Sequence, residues 1–115
     1  MVQTNEFMLA FRFEPNTNDQ PTAAEMDQMH QAWGAFIGNI AIQEKLISTH
    51  QLGFEGKQIF ADRTVVDGIH IAERQTLGGN MIVRAQSIDE AVSMAKNCPI
   101  LSMGGSVEVR GIQPM

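Results

Sequence analysis

The sequence is poor in cysteine, in cationic residues and in long apolar runs, and each scarcity excludes a class of protein. The single cysteine, Cys98, allows no internal disulfide, which is typical of a reducing compartment. The eight Lys and Arg residues are scattered in a chain of net charge −5, so no basic stripe for nucleic acid is visible. No apolar run approaches the roughly 20 residues of a membrane span, and the first residues do not resemble a signal peptide. We therefore expect a cytoplasmic protein with no nucleic-acid or membrane partner.

The chain does contain enough apolar sequence for one folded domain. Apolar residues make up 43% of the 115 residues and charged residues 18%, a balance typical of globular rather than disordered proteins. A chain of this length buries roughly two-thirds of its unfolded surface, which is enough for one modest core. We expect residues 1–115 to form a single domain.

Residues 6–13 alternate in the way of a strand with two distinct faces. The large apolar side chains fall on one face, namely Phe7, Leu9, Phe11 and Phe13. Met8, Ala10 and Arg12 fall on the other face, which is not plainly polar. A small domain has too few helices to cover both faces, so we expect another subunit to cover the second one.

Two capping boxes predict two helices. Thr22 and Glu25 begin the first, which we expect to run to about residue 45, and Ser87 and Glu90 begin the second. The first helix has a predicted buried stripe of Met26, Met29, Trp33, Ile37 and Ile40. Two glycines in it, Gly34 and Gly38, indicate close packing against another backbone, because each costs about 1 kcal/mol relative to Ala in a helix.

The remaining segments complete a recognisable order of elements. Residues 46–52, 57–66, 79–85 and 106–112 are predicted strands, with a hairpin loop over 53–56 and a tight turn at Asp67-Gly68. The order is strand, helix, strand, strand, helix, strand. Two helices on one face of a four-stranded antiparallel sheet make the ferredoxin-like arrangement, so the predicted fold class is α+β.

Several short motifs, in this order, resemble the YCII-related family, including the branch named for an Asp-Gly-Pro-Phe motif. They are Trp33-Gly34-Ala35-Phe36-Ile37, Asp67-Gly68, Arg74, Leu77-Gly78-Gly79, Asn97-Cys98-Pro99 and Gly104-Gly105-Ser106-Val107-Glu108-Val109-Arg110. The chain departs from that pattern at Ile69-His70, which replace the Pro-Phe of the motif. It departs again at Trp33, where some members carry a histidine proposed to act with an acidic residue.

The resemblance implies a homodimer of the dimeric α/β-barrel type, whose two sheets pack together and leave a cleft between sheet and helix. Most members of that family have no established function, and very few have an established activity. Such genes are often suggested to accompany transcription regulators. The resemblance thus implies a fold and an assembly but no reaction.

Three histidines twenty residues apart, His30, His50 and His70, are candidates for binding or acid–base chemistry. Their spacing matches no compact metal motif, so we predict neither a metal site nor a cofactor. His30 is the catalytic candidate because it lies on the first helix beside the stripe of Met29 and Trp33, at the boundary between core and cleft. It lies one turn before Trp33 and so does not simply inherit the family's histidine role. Asp67 could orient its imidazole. The alternative for Asp67 is a turn former before Gly68.

Arg12 is the candidate anion anchor, because a guanidinium forms two bonds at once to a carboxylate or phosphate. Arg84 and Arg110 are expected on the same face of the sheet. The alternative is that Arg12 forms an ion pair with Glu108.

Two functions follow from these residues. The first is a small-molecule site for an organic acid, with or without turnover, in which His30 and Asp67 are catalytic and Arg12, Trp33, His50 and His70 bind the ligand. The second is a non-catalytic interaction or regulatory module, in which the polar residues only set the register of the dimer.

Overall fold

Six strands and two α-helices make up the part of the chain that the computed structural model describes, residues 5–15 and 22–113. In chain order they are β1 (Asn5–Phe13), α1 (Ala23–Ile42), β2 (Leu46–Gln51), β3 (Lys57–Ile59), β4 (Val65–Asp67), β5 (Thr76–Ala85), α2 (Ile88–Ala95) and β6 (Ser106–Gly111). A short 3₁₀ helix, Pro99–Met103, connects α2 to β6.

Four of the strands form one antiparallel sheet in the order β2-β5-β1-β6. Both helices pack on one face of it, so the predicted α+β class and ferredoxin-like arrangement are confirmed. The alternation of β1 places Phe7, Leu9 and Phe11 in the core, where Leu9 is fully buried beside Met81 and Val83 of β5. We call the opposite side, which neither helix covers, the outer face; it carries Met8, Ala10, Arg12, Asn80 and Ile82.

Both helices begin at the predicted caps. The Thr22 hydroxyl accepts a hydrogen bond from the Glu25 backbone N–H, and the Ser87 hydroxyl accepts one from that of Glu90. The predicted end of the first helix near residue 45 is wrong, because Glu44 adopts a left-handed backbone (φ 60°) that ends α1 at Ile42. Neither α-helix of the described residues combines the length and hydropathy needed to cross a membrane.

The predicted buried stripe of α1 is correct only in its second half. Met26 is 46% exposed, because the first turns of the helix extend beyond the core. Phe36, which was not in the predicted stripe, is buried with Ile40, while Trp33 and Ile37 are half-buried. The face of α1 that packs on the sheet is therefore rotated toward Phe36, relative to the predicted stripe.

The prediction that Gly34 and Gly38 pack against another backbone is wrong within the described chain. A methyl group at either position would meet no atom within 4 Å outside the helix's own backbone. Both glycines lie on the exposed side of α1.

The largest error concerns residues 57–66, which were predicted to form one strand joined to the second strand by a hairpin loop over 53–56. They divide into β3 and β4, which pair with each other in a separate two-stranded sheet. The division occurs at a turn that Arg63 closes with a left-handed backbone (φ 72°), and Phe60 N–H donates to the Thr64 carbonyl across it. Strand β2 pairs instead with β5, which begins at Thr76 rather than at residue 79.

Candidate functional site

A cleft of about 790 Å³ lies between α1 and the helix-covered face of the sheet. We call it the Trp33 cleft. Its lining residues come from β1, α1, β2 with the segment after it, the start of β5, and the 3₁₀ helix: Phe11, Phe13, Met29, His30, Trp33, Gly34, Ile37, Thr49, His50, Gln51, Leu52, Gly53, Phe54, Gly78, Gly79, Ile100 and Met103. None of these residues is Lys, Arg, Asp or Glu. The volume is within the usual range for small-molecule sites.

The walls of the cleft are aromatic. The Trp33 indole meets the Phe11 ring edge to face, with ring centroids 5.3 Å apart at 70°, and meets Phe36 in the same way at 6.0 Å and 81°. Phe13 and Phe54 form a second pair with centroids 6.0 Å apart. Pairs in this geometry contribute about 0.5–1.5 kcal/mol beyond area burial. The walls of the cleft are thus stabilised by contacts between the aromatic rings themselves.

Two consecutive glycines shape the floor where β5 begins. A Cβ on Gly79 would lie 2.6 Å from the His50 carbonyl oxygen, and a Cβ on Gly78 would overlap the Phe13 ring. Only glycine lets β2 and the aromatic ring approach β5 this closely. The Leu77-Gly78-Gly79 motif therefore serves packing at the cleft.

His30 lies on α1 at the rim of the cleft, next to the half-buried Met29 and about one helical turn before Trp33. Its side chain is exposed. An exposed imidazole at the mouth of an apolar cleft can donate a hydrogen bond to a bound molecule or accept one from it.

His50 lines the same cleft from the edge strand β2. Its register opposite Asn80 assigns its side chain to the outer face, whereas Thr49, opposite Met81, faces the helices. The Thr49 hydroxyl donates to the Asn80 carbonyl at 3.3 Å. His50 therefore contributes to the cleft wall mainly through its position on the edge strand.

Arg12 lies on the outer face, away from the Trp33 cleft. Its guanidinium pairs with the Glu108 carboxylate of β6 at 2.9 Å, and the two side chains are 41% and 48% exposed. An ion pair this exposed contributes about 0–1 kcal/mol. The structure thus contains the ion pair that was the alternative to an anion anchor, and it does not bring Arg12 to His30.

Asp67 and His70 also lie apart from the cleft lining. The Asp67 carboxylate pairs with Lys57 across the β3–β4 hairpin, and both side chains are largely exposed. Gly68 follows with φ 102°, and its N–H donates to the Gly56 carbonyl, as a turn requires. The His70 carbonyl accepts a hydrogen bond from the Thr76 hydroxyl at 2.7 Å. Of the six predicted site residues, three line the cleft together, namely His30, Trp33 and His50.

The main site residues that sequence reasoning missed are the phenylalanines. Phe11 and Phe13 were assigned to the core by alternation, and Phe54 was placed in a hairpin loop. An aromatic residue in a glycine-flanked loop, Gly53-Phe54-Glu55-Gly56, was the available signal, because a solvated loop does not need one.

Neither a metal centre nor a reactive thiol is indicated in the described residues. No group of three or more His, Cys, Asp or Glu side chains comes together in residues 5–15 and 22–113. Burial raises the pKa of the Cys98 thiol, and a hydrogen bond that the Ile100 backbone N–H donates to the sulfur opposes this to a smaller extent. A protonated, buried thiol is a poor nucleophile.

A second, more open groove of about 950 Å³ runs between α1 and α2. It contains the Lys45–Glu90 ion pair, 2.9 Å long and about one-third exposed, which ties the start of β2 to α2. Two of its charged side chains are thus paired with each other, and Glu25 and Lys96 line the groove as well. The Trp33 cleft is less open and has aromatic walls, so it is the stronger candidate site.

Comparison with known proteins gives one informative match. No sequence among curated proteins matches the chain. A family model, that of the YCII-related domain, matches residues 6–115, which is nearly the whole sequence. The chain belongs to the YCII-related domain family.

Proposed function

We propose that this protein binds a small organic acid in the Trp33 cleft. The observation that carries the proposal is an aromatic-walled cavity of about 790 Å³ with an exposed imidazole, His30, at its rim. Small-molecule sites combine a mainly apolar lining with a few polar groups that fix orientation. The YCII-related family match is compatible with this role and assigns no ligand.

The lining restricts the kind of acid. No Lys or Arg is found among the described residues that line the cleft, so a multiply charged anion such as a phosphate would lack a fixed counter-charge from them. A monocarboxylate with a flat or aromatic body suits the walls formed by Phe11, Trp33 and Phe54. His30 would bind the carboxylate, and in any turnover it would be the group that moves a proton.

Arg12 has no part in this proposal, because it lies on the other face of the sheet and pairs with Glu108. Asp67 is likewise left out, because its carboxylate pairs with Lys57. His50 remains as a wall residue whose imidazole would have to turn around the sheet edge to reach a ligand. The site therefore rests on His30 and the aromatic walls.

The test uses the single tryptophan as its probe, since Trp33 lies in the cleft itself. Titration with benzoate-class and short aliphatic carboxylates is expected to give a saturable change in indole fluorescence. His30→Ala should weaken binding by about tenfold, the loss of one charge-assisted hydrogen bond. His70→Ala is the matched control, because it removes a histidine outside the cleft lining, and it should bind as the wild type does.

Two results would contradict the proposal. One is a complete absence of saturable binding across the carboxylate panel. The other is equal loss of binding in the His30→Ala and His70→Ala variants, because that would place the interaction elsewhere.

A protein-interaction module is the second candidate, and the Arg12–Glu108 ion pair favours it. The pair lies on the outer face, which neither helix covers, beside the half-buried apolar Met8 and Ile82. Such a face suits self-association into a homodimer, with the ion pair at its rim. A regulatory partner, including one linked to transcription, would have to compete for this surface. Light scattering of the purified protein tests it, and a monomer at all concentrations would remove this candidate.

A further inference from the structure

The Trp33 cleft and the groove between α1 and α2 border each other at α1. Met29 of that helix and Met103 at the end of the 3₁₀ helix line both cavities. The Trp33 indole, which lines the cleft, meets the ring of Phe36, which lines the groove, with centroids 6.0 Å apart. The two cavities are therefore separated by only a few side chains.

The side chains at this boundary are adaptable. Met29 is half-buried and Met103 is 44% exposed, and neither belongs to the packed core. A methionine side chain is unbranched, has three rotatable bonds and fits itself to irregular neighbours. Rotation of these two side chains can therefore join the two cavities.

The groove has an apolar floor and a polar rim. Phe36 and Cys98 are buried where they line it, and Leu101 of the 3₁₀ helix is apolar yet 43% exposed. Glu25 and Lys96, which also line the groove, are exposed. Apolar surface that continues from a ligand cleft suits an apolar part of the same ligand.

The size of the Trp33 cleft favours a ligand larger than a single-ring acid. Small-molecule sites span about 300–1,000 Å³ and bury most of the ligand's surface. The cleft has a volume of about 790 Å³, so benzoate by itself would leave much of it to water. A longer ligand has to leave the cleft at one side, and Met29 and Met103 mark the side on which another cavity begins.

The charges of the groove indicate that the part of the ligand lying there is neutral. Lys45 and Glu90 pair at 2.9 Å, and Glu25 and Lys96 add one charge of each sign, so the lining favours neither an anion nor a cation. An ionic group beside the Lys45–Glu90 pair would have to displace one partner from a charge-assisted hydrogen bond, whereas a hydrocarbon chain leaves the pair intact.

We propose that the groove holds the hydrocarbon tail of the acid whose head lies in the Trp33 cleft, with the tail crossing between Met29 and Met103. The ligand class is then an aromatic monocarboxylate that carries an unbranched alkyl chain. The inference rests on the proposed binding of an acid in the cleft and extends it to the length and shape of the ligand.

Benzoates with a methyl, butyl or octyl chain at the meta or para position test the proposal, with Trp33 fluorescence as the readout. Each methylene that leaves water contributes up to about fourfold in affinity. We expect the better-fitting octylbenzoate to bind at least about tenfold more tightly than the corresponding methylbenzoate. All titrations are made below the concentration at which the octyl compounds form micelles.

A variant that fills the groove shows where the gain in affinity arises. Ala32 lies about one turn after Met29 on α1 and lines the groove but not the cleft. Ala32→Phe is expected to remove most of the gain from the octyl chain and to leave the binding of methylbenzoate unchanged. Ala41→Phe is the matched control, because it makes the same change at an exposed position of α1 that lines neither cavity, and it should bind the whole series as the wild type does.

Methionine methyl groups supply a measurement that needs no variant. Met94 of α2 lines the groove and not the cleft, whereas Met8 lies on the outer face of the sheet. With the methyl groups of the eight methionines isotopically labelled, the terminal protons of the octyl chain should show nuclear Overhauser effects to Met94 and none to Met8. Effects to Met8 in place of Met94 would overturn the proposal, because the tail would then lie on the outer face.

The outcomes separate this inference from the proposed function. No saturable binding of any benzoate in the series overturns both. Saturable binding of the methylbenzoates with no gain from the longer chains overturns the tail alone and leaves the cleft as a site for a short acid. A gain from the octyl chain that is the same in Ala32→Phe and in the wild type also overturns it, because the tail would then lie outside the groove.

Discussion

At the scale of single residues, the motifs that connect this chain to its family are mostly explained by close backbone approach. Gly79 allows the His50 carbonyl to lie against β5, and Gly105 allows both the Arg12 carbonyl and Ile100 to approach β6. Gly68 and Gly104 have positive φ values of 102° and 82°. These glycines are therefore conformational requirements of the fold and supply no chemistry of their own.

Gly79→Ala is expected to lower the free energy of unfolding by about 1–3 kcal/mol, because its Cβ would lie 2.6 Å from the His50 carbonyl oxygen, a backbone atom that cannot turn aside. Gly53→Ala is the control, since a Cβ there meets nothing within 4 Å. Urea denaturation measures both. Equal stability of the two variants would mean that β2 can move away from β5 without cost.

The Asp62 turn predicts a pH dependence for the β3–β4 hairpin. Hydrogen bonds from the Thr64 hydroxyl and N–H lower the pKa of the Asp62 carboxyl below its ordinary value of about 3.9. A lowered folded-state pKa stabilises the turn above the ordinary value, and that stabilisation is lost as the pH falls through the folded-state pKa. Amide protection factors in the β3–β4 hairpin, which compare each exchange rate with the intrinsic rate at the same pH, should therefore fall in acid. Those of Asp62→Asn should be nearly insensitive over the same range. An identical acid response in both proteins would contradict this account.

At the scale of elements, the helix caps and the first strand are governed by neighbouring residues. Thr22 and Ser87 cap the two helices as predicted, and the alternation of β1 assigns its faces correctly. The end of α1 is different, because Glu44 takes a left-handed backbone that is usually reserved for glycine. Its N–H donates to Ala41, and that of Lys45 donates to Ile40, which is the Schellman pattern.

Glu44→Gly is expected to raise the free energy of unfolding by about 0.5–1 kcal/mol, because glycine adopts positive φ without a Cβ clash. Gln43→Gly is the matched control. Gln43 has φ −84°, so glycine there brings no conformational relief and should slightly destabilise the protein. Thermal or urea unfolding distinguishes the two, and a loss of stability in Glu44→Gly would contradict the assignment of strain at this cap.

The strand pairing of residues 57–66 could not be predicted from local pattern. Their apolar residues suit one long strand as well as two short ones, and the turn at Asp62-Arg63 contains no glycine or proline to mark it. The turn forms because Asp62 bonds to Thr64 and Arg63 accepts a left-handed backbone. The position of this turn depends on contacts between particular residues, which the periodicity of apolar residues in the sequence does not indicate.

At the scale of the whole molecule, helices cover only one side of the four-stranded sheet, and the β3–β4 hairpin lies outside the core. Asn80 illustrates the consequence at the centre of the outer face. Its side-chain oxygen is buried and has no hydrogen-bond donor among the described residues. A buried acceptor without a donor costs about 1–3 kcal/mol, so the Asn80 oxygen lowers the stability of the single chain at the outer face.

If the outer face pairs two copies, as in the second candidate function, stability must depend on concentration. The midpoint of thermal unfolding of the wild type is expected to rise as the protein is concentrated, because association stabilises only the folded chain. Ile82→Glu, on the outer face, should show a midpoint that is lower and independent of concentration. Ile42→Glu, at a residue 81% exposed at the end of α1, should follow the wild type. Differential scanning fluorimetry over a hundredfold concentration range measures the effect, which is about 2.7 kcal/mol at most. A flat wild-type curve would contradict it.

The sequence by itself determined the α+β class, the positions of both helix starts and the two faces of β1. Each of these depends on residues within a few positions of one another, where side-chain period and capping chemistry act. Only the tertiary structure decided that His30 and Trp33 share a cleft, that Arg12 pairs with Glu108 and that Asp67 pairs with Lys57 in a separate hairpin. Those relationships join residues far apart in the chain, so they depend on strand order and on packing between elements, which local patterns do not specify.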